Sequence, residues 1–404
     1  MIGLADIEAA QRTLTGHVVR TPMLAAPKLS ELTGAQVFIK YENLQVTNSF
    51  KDRGAFVKLS SLTQGERANG VIAMSAGNHA QAVARHAHLL GIAATIVMPK
   101  FTPATKVTRT EAWGARVVLV GESLAEAAQH ARELAVAEGF VFIHPYDDPA
   151  VIAGQGTVAL EMLQDVPELD TLVAPVGGGG MMTGCAVAAR ALKPDLKVIG
   201  VETAGYSAMR QLLAGEAVTA GGDTIAEGIA VRDIGAIPLA LARALVDRVL
   251  SVDEVAIERA IALFLEVEKT VAEGAGAAGL AAILSHPQYF TGRKVGIVLS
   301  GGNIDTRLLT SILLRGLVRD GRIVRLRLTI GDLPGQLARV AGLIGKARGN
   351  IVEVQHQRLF GSVAAKSTEL DVTVETRDRD HVRELVAALS AEGFKVRVLE
   401  GADA

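Results

Sequence analysis

The sequence contains very little cysteine, and this scarcity limits the chemistry open to the chain. Its single thiol, Cys185, cannot form an internal disulfide bond, and it cannot supply the several thiolate ligands of a zinc or iron–sulfur site. Chains without disulfide bonds are typical of reducing compartments. We therefore expect a cytoplasmic protein.

The sequence also lacks an excess of basic residues and any long apolar run. Its 41 lysines and arginines are balanced by 43 aspartates and glutamates, which gives a formal charge of -2 and leaves no basic stripe. Nucleic acid is therefore a poor candidate partner. Glycine, arginine or aspartate interrupts each apolar stretch before it reaches the roughly 18 residues that a membrane helix needs. Residues 1–8 predict an amphipathic helix, and we see no secretory signal in them.

Parallel β-α-β units are predicted for the larger part of the chain, which at 404 residues is long enough for more than one compact unit. From about residue 37 to 299, short β-type runs alternate with longer helical ones. The β-type runs are mostly continuous apolar stretches, which favours strands covered by helices on both faces. The predicted strands are residues 71–74, 94–98, 116–120, 171–176, 197–201 and 294–299. In the helix predicted over 122–138, the face that carries Leu124, Ala128 and Ala131 is expected to be buried.

The pattern changes near residues 319–322, and a compact β-α-β-β-α-β arrangement is predicted beyond them. Alternating apolar residues indicate a strand with one buried face at 324–330, and apolar residues three and four apart indicate helices near 337–344 and 382–389. Further strands are predicted to begin at 351, to cover 370–374 and to span 394–399. The sequence therefore predicts an α/β part followed by a small α+β domain.

Four consecutive glycines follow the strand predicted at 171–176 and precede a helix. Open α/β sheets bind ligands in such loops. Consecutive glycines let their backbone N–H groups turn toward one anion, and the dipole of the following helix adds roughly 0.3–1 kcal/mol. The spacing fits neither a dinucleotide fingerprint nor a P-loop. We predict a phosphate site formed by Gly177, Gly178, Gly179, Gly180 and Met181, with a glycine-rich turn that binds nothing as the alternative.

Lys51 lies in the run Asn-Ser-Phe-Lys-Asp-Arg-Gly-Ala at residues 48–55. A solitary Lys-Asp-Arg triplet is usually part of an exposed helix. In combination with the glycine loop, this run resembles the lysine motif of the fold-type-II pyridoxal-phosphate (PLP) enzymes, and in particular of their threonine and serine dehydratase branch. The resemblance implies that Lys51 forms a Schiff base with PLP, that Phe50 packs beside the cofactor ring and that Ser49 lies at the edge of the pocket.

A third polar loop follows the strand predicted at 71–74. A helix that begins at the end of this loop presents unpaired N–H groups to an anion. The resemblance implies that Ser75, Ala76, Gly77, Asn78 and His79 bind the substrate carboxylate, and that the Asn78 amide also reaches the 3-oxygen of the cofactor. For His79 we favour a structural role in the first helical turn.

Ser300 begins the run Ser-Gly-Gly-Asn after the strand predicted at 294–299. The resemblance implies that its hydroxyl faces the pyridine nitrogen of PLP. A hydroxyl cannot hold that nitrogen protonated as an aspartate would, so the ring is a weaker electron sink and favours elimination over transamination. The implied reaction is α,β-elimination of L-threonine to 2-oxobutanoate and ammonia, with L-serine giving pyruvate and Lys51 removing the α-proton.

Two other functions remain open from the sequence. A serine racemase needs a second base, and eukaryotic racemases carry a serine at the position of Ala76, which has no proton to give. Racemases also bind a divalent metal through acidic residues; Glu202 is present here, but Ala208 stands where a second acid is expected, so we predict no metal site. A non-catalytic amino-acid sensor is the other alternative, although a binding module has no need of a buried amine such as Lys51.

The C-terminal part resembles an ACT domain, including the Asp-Leu-Pro-Gly turn at residues 332–335. The resemblance implies a catalytic domain of the tryptophan-synthase-β-like fold type II over 1–318, whose smaller mobile subdomain covers about 45–145, and a ferredoxin-like ACT domain over 323–404. It further implies an amino-acid effector, isoleucine or valine, for which Gly335, Gln336 and Asn350 are candidate ligands. The alternative is a domain that only mediates assembly, and we expect a homodimer or homotetramer.

Overall fold

The computed structural model describes residues 2–357, 364 and 366–399. The chain divides into two compact units, Met1–Ile304 and Asp305–Ala404. Each unit has a buried apolar core of its own, which fits a chain too long to organise a single core. The domain boundaries predicted near residues 318 and 323 stay a prediction. Within the described residues, no helix is both long enough and apolar enough to cross a membrane.

Two β-sheets form the framework of the first unit. Their strands are β1 (Met23–Ala25), β2 (Gln36–Tyr41), β3 (Val71–Met74), β4 (Ala94–Met98), β5 (Arg116–Leu119), β6 (Val141–Phe142), β7 (Thr171–Pro175), β8 (Lys197–Thr203), β9 (Arg248–Val252) and β10 (Lys294–Leu299). The larger sheet has the order β1-β2-β10-β7-β8-β9 and is parallel except for β1. The smaller sheet has the order β5-β4-β3-β6 and is parallel throughout. The carboxyl ends of the parallel strands therefore meet along one edge of each sheet.

Helices cover both sheets. They are α1 (Leu4–Leu14), α2 (Pro27–Thr33), α3 (Lys51–Ser60), α4 (Gln64–Asn69), α5 (Asn78–Leu89), α6 (Ala104–Glu111), α7 (Leu124–Glu138), α8 (Pro149–Asp165), α9 (Gly180–Leu192), α10 (Ala208–Ala214), α11 (Ala236–Leu245), α12 (Glu254–Glu266) and α13 (Gly274–Ser285). Several begin after a residue whose side chain accepts hydrogen bonds from the first turn, as Asp148 does for α8 and Asp253 for α12. β4 and β7 are wholly buried beneath the helices, as their apolar sequences predict.

The strands predicted from the sequence are confirmed, and their ends differ from those of β3, β4, β5, β7, β8 and β10 by at most two residues. The helix predicted over 122–138 is present as α7, but the prediction of its buried face was wrong in part. Leu124 is 53% exposed, whereas Ala127 and Ala131 lie in the core against the smaller sheet. Small alanine side chains let the helix approach the sheet closely, and Leu124 precedes this contact in the first turn.

Helix α8 lies between α3 and α9 and touches both of them through glycines. A Cβ atom on Gly154 would lie 2.8 Å from the Cα atom of Gly54 in α3. A Cβ atom on Gly156 would lie 2.7 Å from the carbonyl oxygen of Gly184 in α9. Both distances are shorter than a carbon atom tolerates, so these contacts exist only because side chains are absent. Since α3 begins at the lysine motif and α9 at the glycine run, α8 fixes the separation of these two motifs.

The second unit begins with helix α14 (Thr306–Arg319) and then follows the β-α-β-β-α-β order predicted from the sequence. Its further elements are β11 (Ile323–Gly331), α15 (Gln336–Lys346), β12 (Asn350–Gln357), β13 (Ser367–Glu375), α16 (Arg379–Ala391) and β14 (Lys395–Leu399). The strands form an antiparallel sheet in the order β12-β13-β11-β14. One face of β11 is buried, with Val324, Leu326, Leu328 and Ile330 in the core, as the alternation predicts.

The contact between α8 and α9 should be sensitive to a single added methyl group. We expect Gly184→Ala to destabilise the first unit by about 1–3 kcal/mol, because its Cβ atom would collide with the backbone carbonyl of Ile152. The control is Gly65→Ala in α4, where no atom lies within 4 Å of the added Cβ atom. Thermal unfolding followed by circular dichroism compares the two variants. Equal midpoints would show that α8 and α9 can move apart without cost.

Candidate active site

The motifs found in the sequence meet at the carboxyl ends of the strands. β3 is followed by the polar loop predicted to bind a carboxylate, β7 by the glycine run and β10 by Ser300. The lysine motif is attached to the last of these, because Phe50 N donates a hydrogen bond to Ser300 O at 3.0 Å. Ser49 and Gly301 also form an antiparallel bridge. The stretch that leads into the lysine is thus fixed to the end of the larger sheet.

Lys51 is the first residue of α3, and its side chain is partly accessible. Its Nζ donates a hydrogen bond to the carbonyl oxygen of Pro145 at 2.7 Å and lies 5.0 Å from the centre of the Phe50 ring. Burial lowers the pKa of the Lys51 ammonium to about 8, against the opposing negative charge of Glu273. Since an unperturbed lysine has a pKa of about 10.4, a much larger share of this amine is neutral near neutral pH.

Asp52 holds the beginning of α3 in place. Its carboxylate accepts hydrogen bonds from Thr47 N at 3.0 Å and from Thr47 Oγ1 at 2.9 Å. The same carboxylate lies within hydrogen-bonding distance of His86 Nε2, at 3.1 Å. These bonds connect the start of α3 with the segment before it and with α5.

Arg53, the next residue of α3, belongs to a cluster of four buried charges. Arg53 donates to both carboxylate oxygens of Glu42 at 2.7 and 2.8 Å and to both of Glu161 at 2.8 Å. Lys40 Nζ donates to Glu161 at 2.6 Å, and none of the four side chains is more than 6% exposed. Burial raises the pKa of Glu42, but Arg53 and Lys40 outweigh this and hold that pKa below its usual value. The cluster joins α3 to β2 and α8.

The glycine run offers backbone donors to a ligand. Within the part of the chain that the structure describes, the N–H groups of Gly177, Gly178 and Gly179 donate to no backbone acceptor. Gly179 has a φ angle of 94°, which a residue with a side chain rarely adopts. Gly178 packs so closely on the Tyr146 ring that a Cβ atom would collide with it. The run therefore presents free backbone N–H groups at the N-terminus of α9, an arrangement that suits an anion.

The loop after β3 presents a second group of backbone donors. α5 begins at Asn78, and its N-cap residue Gly77 provides no side-chain cap. Ser75 Oγ accepts a hydrogen bond from Gly77 N at 3.2 Å, so the first N–H groups of α5 are left for a carboxylate. His79 differs, because its buried Nε2 lies 3.0 Å from Ile143 O. Burial lowers the pKa of His79 to about 3, and the ring stays neutral.

Two serines lie at the bridge that anchors the lysine motif: Ser49 is one of its members, and Ser300 precedes the other. Ser300 is 2% exposed and stands at the carboxyl end of β10, where the resemblance puts the pyridine nitrogen of PLP. The buried Ser49 Oγ has no hydrogen-bond partner among the described residues. Buried hydroxyl groups are rarely left without a hydrogen-bond partner, so this one is consistent with a ligand atom or a water molecule as its partner. Lys51, the two anion-binding loops and these serines form a set that fits PLP.

Comparison with known proteins agrees with this set of residues. The sequence profile of the family described as "Pyridoxal-phosphate dependent enzyme" matches residues 14–301. The chain belongs to this family. It is also 44% identical to the L-threonine ammonia-lyase of Thermotoga maritima over 401 residues, which are 99% of this chain and 100% of that protein.

Two solved structures resemble the larger part of the chain. Maize serine racemase has a TM-score of 0.73 and 35% identity, and the match covers 79% of this chain and 98% of that one. The processed form of threonine deaminase isoform 2 from Solanum lycopersicum has a TM-score of 0.73 and 36% identity, over 78% of this chain and 87% of that one. Family membership confirms the predicted cofactor, PLP, and the α/β fold of the PLP enzymes. The Thermotoga relative has a counterpart for both units.

Sequence reasoning missed several residues around the site. Glu273 Oε1 accepts a hydrogen bond from Asn78 Nδ2 at 2.7 Å, and Asn303 Nδ2 donates to Asn78 Oδ1 at 2.8 Å. Pro145 contacts the lysine amine, and Tyr146 packs on the glycine run. The signal for Asn303 was available, because it ends the same Ser-Gly-Gly-Asn run as Ser300. Glu273 carries no comparable signal.

In the second unit, a cavity of about 350 Å³ lies at the turn between β11 and α15. Gly335 and Gln336, two of the candidate effector ligands, line it together with Asp332. The third candidate, Asn350, is not among the lining residues, and its Nδ2 donates to Glu375 Oε2 at 3.1 Å. The structure thus brings two of the three candidates to one cavity.

Loss of one cation from the buried charge cluster should be costly. We expect Arg53→Met to destabilise the first unit by about 3–5 kcal/mol, because Glu42 and Glu161 lose the guanidinium that pairs them. The control is Arg20→Met, which breaks the ion pair of Asp165 with a 53% exposed arginine and should change stability little. Urea unfolding measures both. A similar loss in the two variants would contradict a special role for the buried cluster.

Proposed function

We propose that the chain is a PLP-dependent threonine ammonia-lyase, which converts L-threonine to 2-oxobutanoate and ammonia. L-serine is the second expected substrate and gives pyruvate. The observation that carries the proposal is the Lys51 amine, whose pKa burial lowers to about 8 and which lies in a region with two groups of unpaired backbone donors. The 44% identity to a bacterial L-threonine ammonia-lyase, over both units, supports this choice of substrate.

The residues present suit each part of the cofactor. Lys51 would hold its aldehyde carbon covalently, the glycine run would hold its phosphate, and Phe50 would lie beside its ring. Ser300 would face the ring nitrogen, and Asn78 would donate to the 3-oxygen. When bound, PLP supplies an electron-accepting ring that stabilises negative charge at the substrate α-carbon. A serine at the ring nitrogen weakens this acceptor, which favours loss of a β-substituent over transamination.

Substrate binding and proton transfer fall to the residues of the chain itself. The N–H groups at the start of α5 would bind the α-carboxylate and thereby orient the amino acid. With a pKa of about 8, the Lys51 amine can both accept and release a proton near neutral pH, as a general base requires. The neutral His79 ring is bonded to a backbone carbonyl, so it supports the helix and does not exchange protons with the substrate.

We further propose that residues 323–404, the part of the second unit after α14, form an ACT domain that binds isoleucine or valine. The order of its elements and the cavity beside residues 332–335 support this proposal. Ile330, Leu333 and Leu337 line the cavity and suit a branched apolar side chain, whereas Asp332 suits an ammonium group. Assembly as a homodimer or homotetramer and a cytoplasmic location belong to the same proposal. The buried, unpaired Cys185 suits a reducing compartment.

A keto-acid assay of the purified chain tests the proposed reaction. We expect 2-oxobutanoate to form from L-threonine faster than pyruvate forms from L-serine. Lys51→Ala should lower the rate by at least about 10²–10⁴-fold, the usual contribution of a general base, whereas Lys28→Ala in α2 should leave it unchanged. Chiral chromatography of the products from L-serine tests the racemase alternative. D-serine formed faster than pyruvate would favour a racemase and contradict the expectation from Ala76.

Calorimetric titration with isoleucine and valine tests the proposed effector site. We expect at least one of them to bind the unmodified chain. Gln336→Ala should weaken this binding about three- to tenfold, the effect of one lost hydrogen bond. Lys346→Ala, at the other end of α15, is the control and should bind as the unmodified chain does. If neither isoleucine nor valine binds, the effector proposal is refuted.

A further inference from the structure

Glu273 faces the candidate active site from the N-terminal end of α13. Its Oε1 accepts a hydrogen bond from Asn78 Nδ2 at 2.7 Å, and its backbone N donates to Gly301 O at 3.1 Å. Gly301 leaves space for the carboxyl group, because a Cβ atom at that position would collide with Glu273 Oε1. The carboxyl group is therefore enclosed between the start of α5 and the loop after β10.

The side-chain amides of Asn303 and Asn78 can be oriented in only one way that satisfies their hydrogen bonds. The carbonyl oxygen of Thr47 can only accept, so the group of Asn303 that lies 2.7 Å from it is the NH2 group. The same NH2 group lies 2.8 Å from Asn78, which therefore turns its amide oxygen toward Asn303. The NH2 group of Asn78 then faces Glu273, and Glu273 is the acceptor that this orientation requires.

One N–H of the Asn78 amide remains after the bond to Glu273. The proposed function assigns this N–H to the 3-oxygen of PLP. Without an acceptor at position 273, only the hydrogen bond from Asn303 would still oppose rotation of the Asn78 amide, whose oxygen and nitrogen ends have the same shape. An amide oxygen would then face the 3-oxygen, and two acceptors cannot form a hydrogen bond.

On the basis of the proposed function, we infer that Glu273 is a positioning residue: together with Asn303 it holds the Asn78 amide in its donating orientation, and it supplies the negative charge that acts on the Lys51 amine. Glu273 acts on PLP only through the side chains of Asn78 and Lys51. The role differs from that of a general acid or base, because Glu273 is engaged with Asn78 and needs no contact with the substrate.

Glu273 lies against Gly301, which pairs with Ser49 two residues before Lys51, so its charge acts close to the lysine and opposes the main influence on that amine. Burial lowers the pKa of Lys51 to about 8, and the carboxylate of Glu273 raises it again in part. His79 and His144 also lie within electrostatic reach of Lys51, but burial lowers the pKa of both and so favours their neutral forms. Removal of the Glu273 charge should therefore let the pKa of Lys51 fall further.

Glu273 carries this charge in the pH range where Lys51 titrates. Burial raises the pKa of Glu273 to about 7, and hydrogen bonds from Asn78 and from the Asn303 backbone limit this rise. Glu227 raises the same pKa and Lys106 lowers it, and these two side chains form an ion pair at 2.5 Å, so their effects partly cancel. A carboxyl group with a pKa of about 7 is mostly ionised at pH 8.

Labelling of the cofactor-free full chain tests the charge. Glu273→Gln keeps the shape and an oxygen acceptor but removes the charge. Reductive methylation of Lys51 by formaldehyde and cyanoborohydride, followed over pH by mass spectrometry of its peptide, reports the neutral fraction of the amine. We expect a midpoint near pH 8 in the unmodified chain and a lower one in Glu273→Gln. Glu216→Gln, which removes an exposed carboxylate, is the control and should leave the midpoint unchanged. An unchanged or higher midpoint in Glu273→Gln would refute the charge role.

PLP affinity, measured by equilibrium dialysis, tests the positioning role. Glu273→Leu has a similar size but no acceptor, so we expect it to bind PLP about three- to tenfold more weakly than Glu273→Gln, the loss of one hydrogen bond. Equal affinities would refute this role. If circular dichroism shows that Glu273→Leu is unfolded, Glu273→Ala replaces it. Neither measurement uses threonine, so a chain that binds PLP but does not turn over threonine would refute the proposed function and leave these results standing.

Discussion

The position of the Lys51 amine depends on the cluster of buried charges around Arg53, two residues after it. Arg53 is fully buried and bonds both Glu42 and Glu161, and Lys40 completes the charge balance. Each of these charges is stable in the interior only while its partners stay in place, because an unpaired buried charge is far more costly than an exposed one. α3 therefore cannot slide along β2 or α8 without breaking several bonds at once. This rigidity holds Lys51 in its place in the candidate active site.

Helix α8 connects this charge cluster to the glycine run. It contributes Glu161 to the charge cluster and meets α3 through Gly154 and α9 through Gly156. Lys51 and the glycine run thus share one rigid support, although Gly177 lies 126 positions after Lys51 in the sequence. A cofactor that binds both at once needs such a fixed separation, since its own length cannot change.

Much of the fold follows from local patterns. Six of the ten strands described in the first unit were predicted, because each is a short apolar run between turn signals, and the one-sided β11 was predicted because its apolar residues alternate. The other four, β1, β2, β6 and β9, were not among the predicted strands. The contiguous motifs around Lys51 and Gly177 could be recognised for the same reason. Contacts between distant residues left no local trace: Glu273 meets Asn78 across 195 positions, and no pattern near either residue indicates it. The buried face of α7 was misjudged because hydrophobicity outweighed the closer approach that alanine permits.

Reduction of the PLP-loaded protein with borohydride, followed by mass spectrometry of its proteolytic peptides, tests most directly whether Lys51 carries the cofactor. We expect a phosphopyridoxyl group on the peptide that contains Lys51 and on no other lysine peptide. An unmodified Lys51 peptide, or the same group on a different lysine, would contradict the assignment.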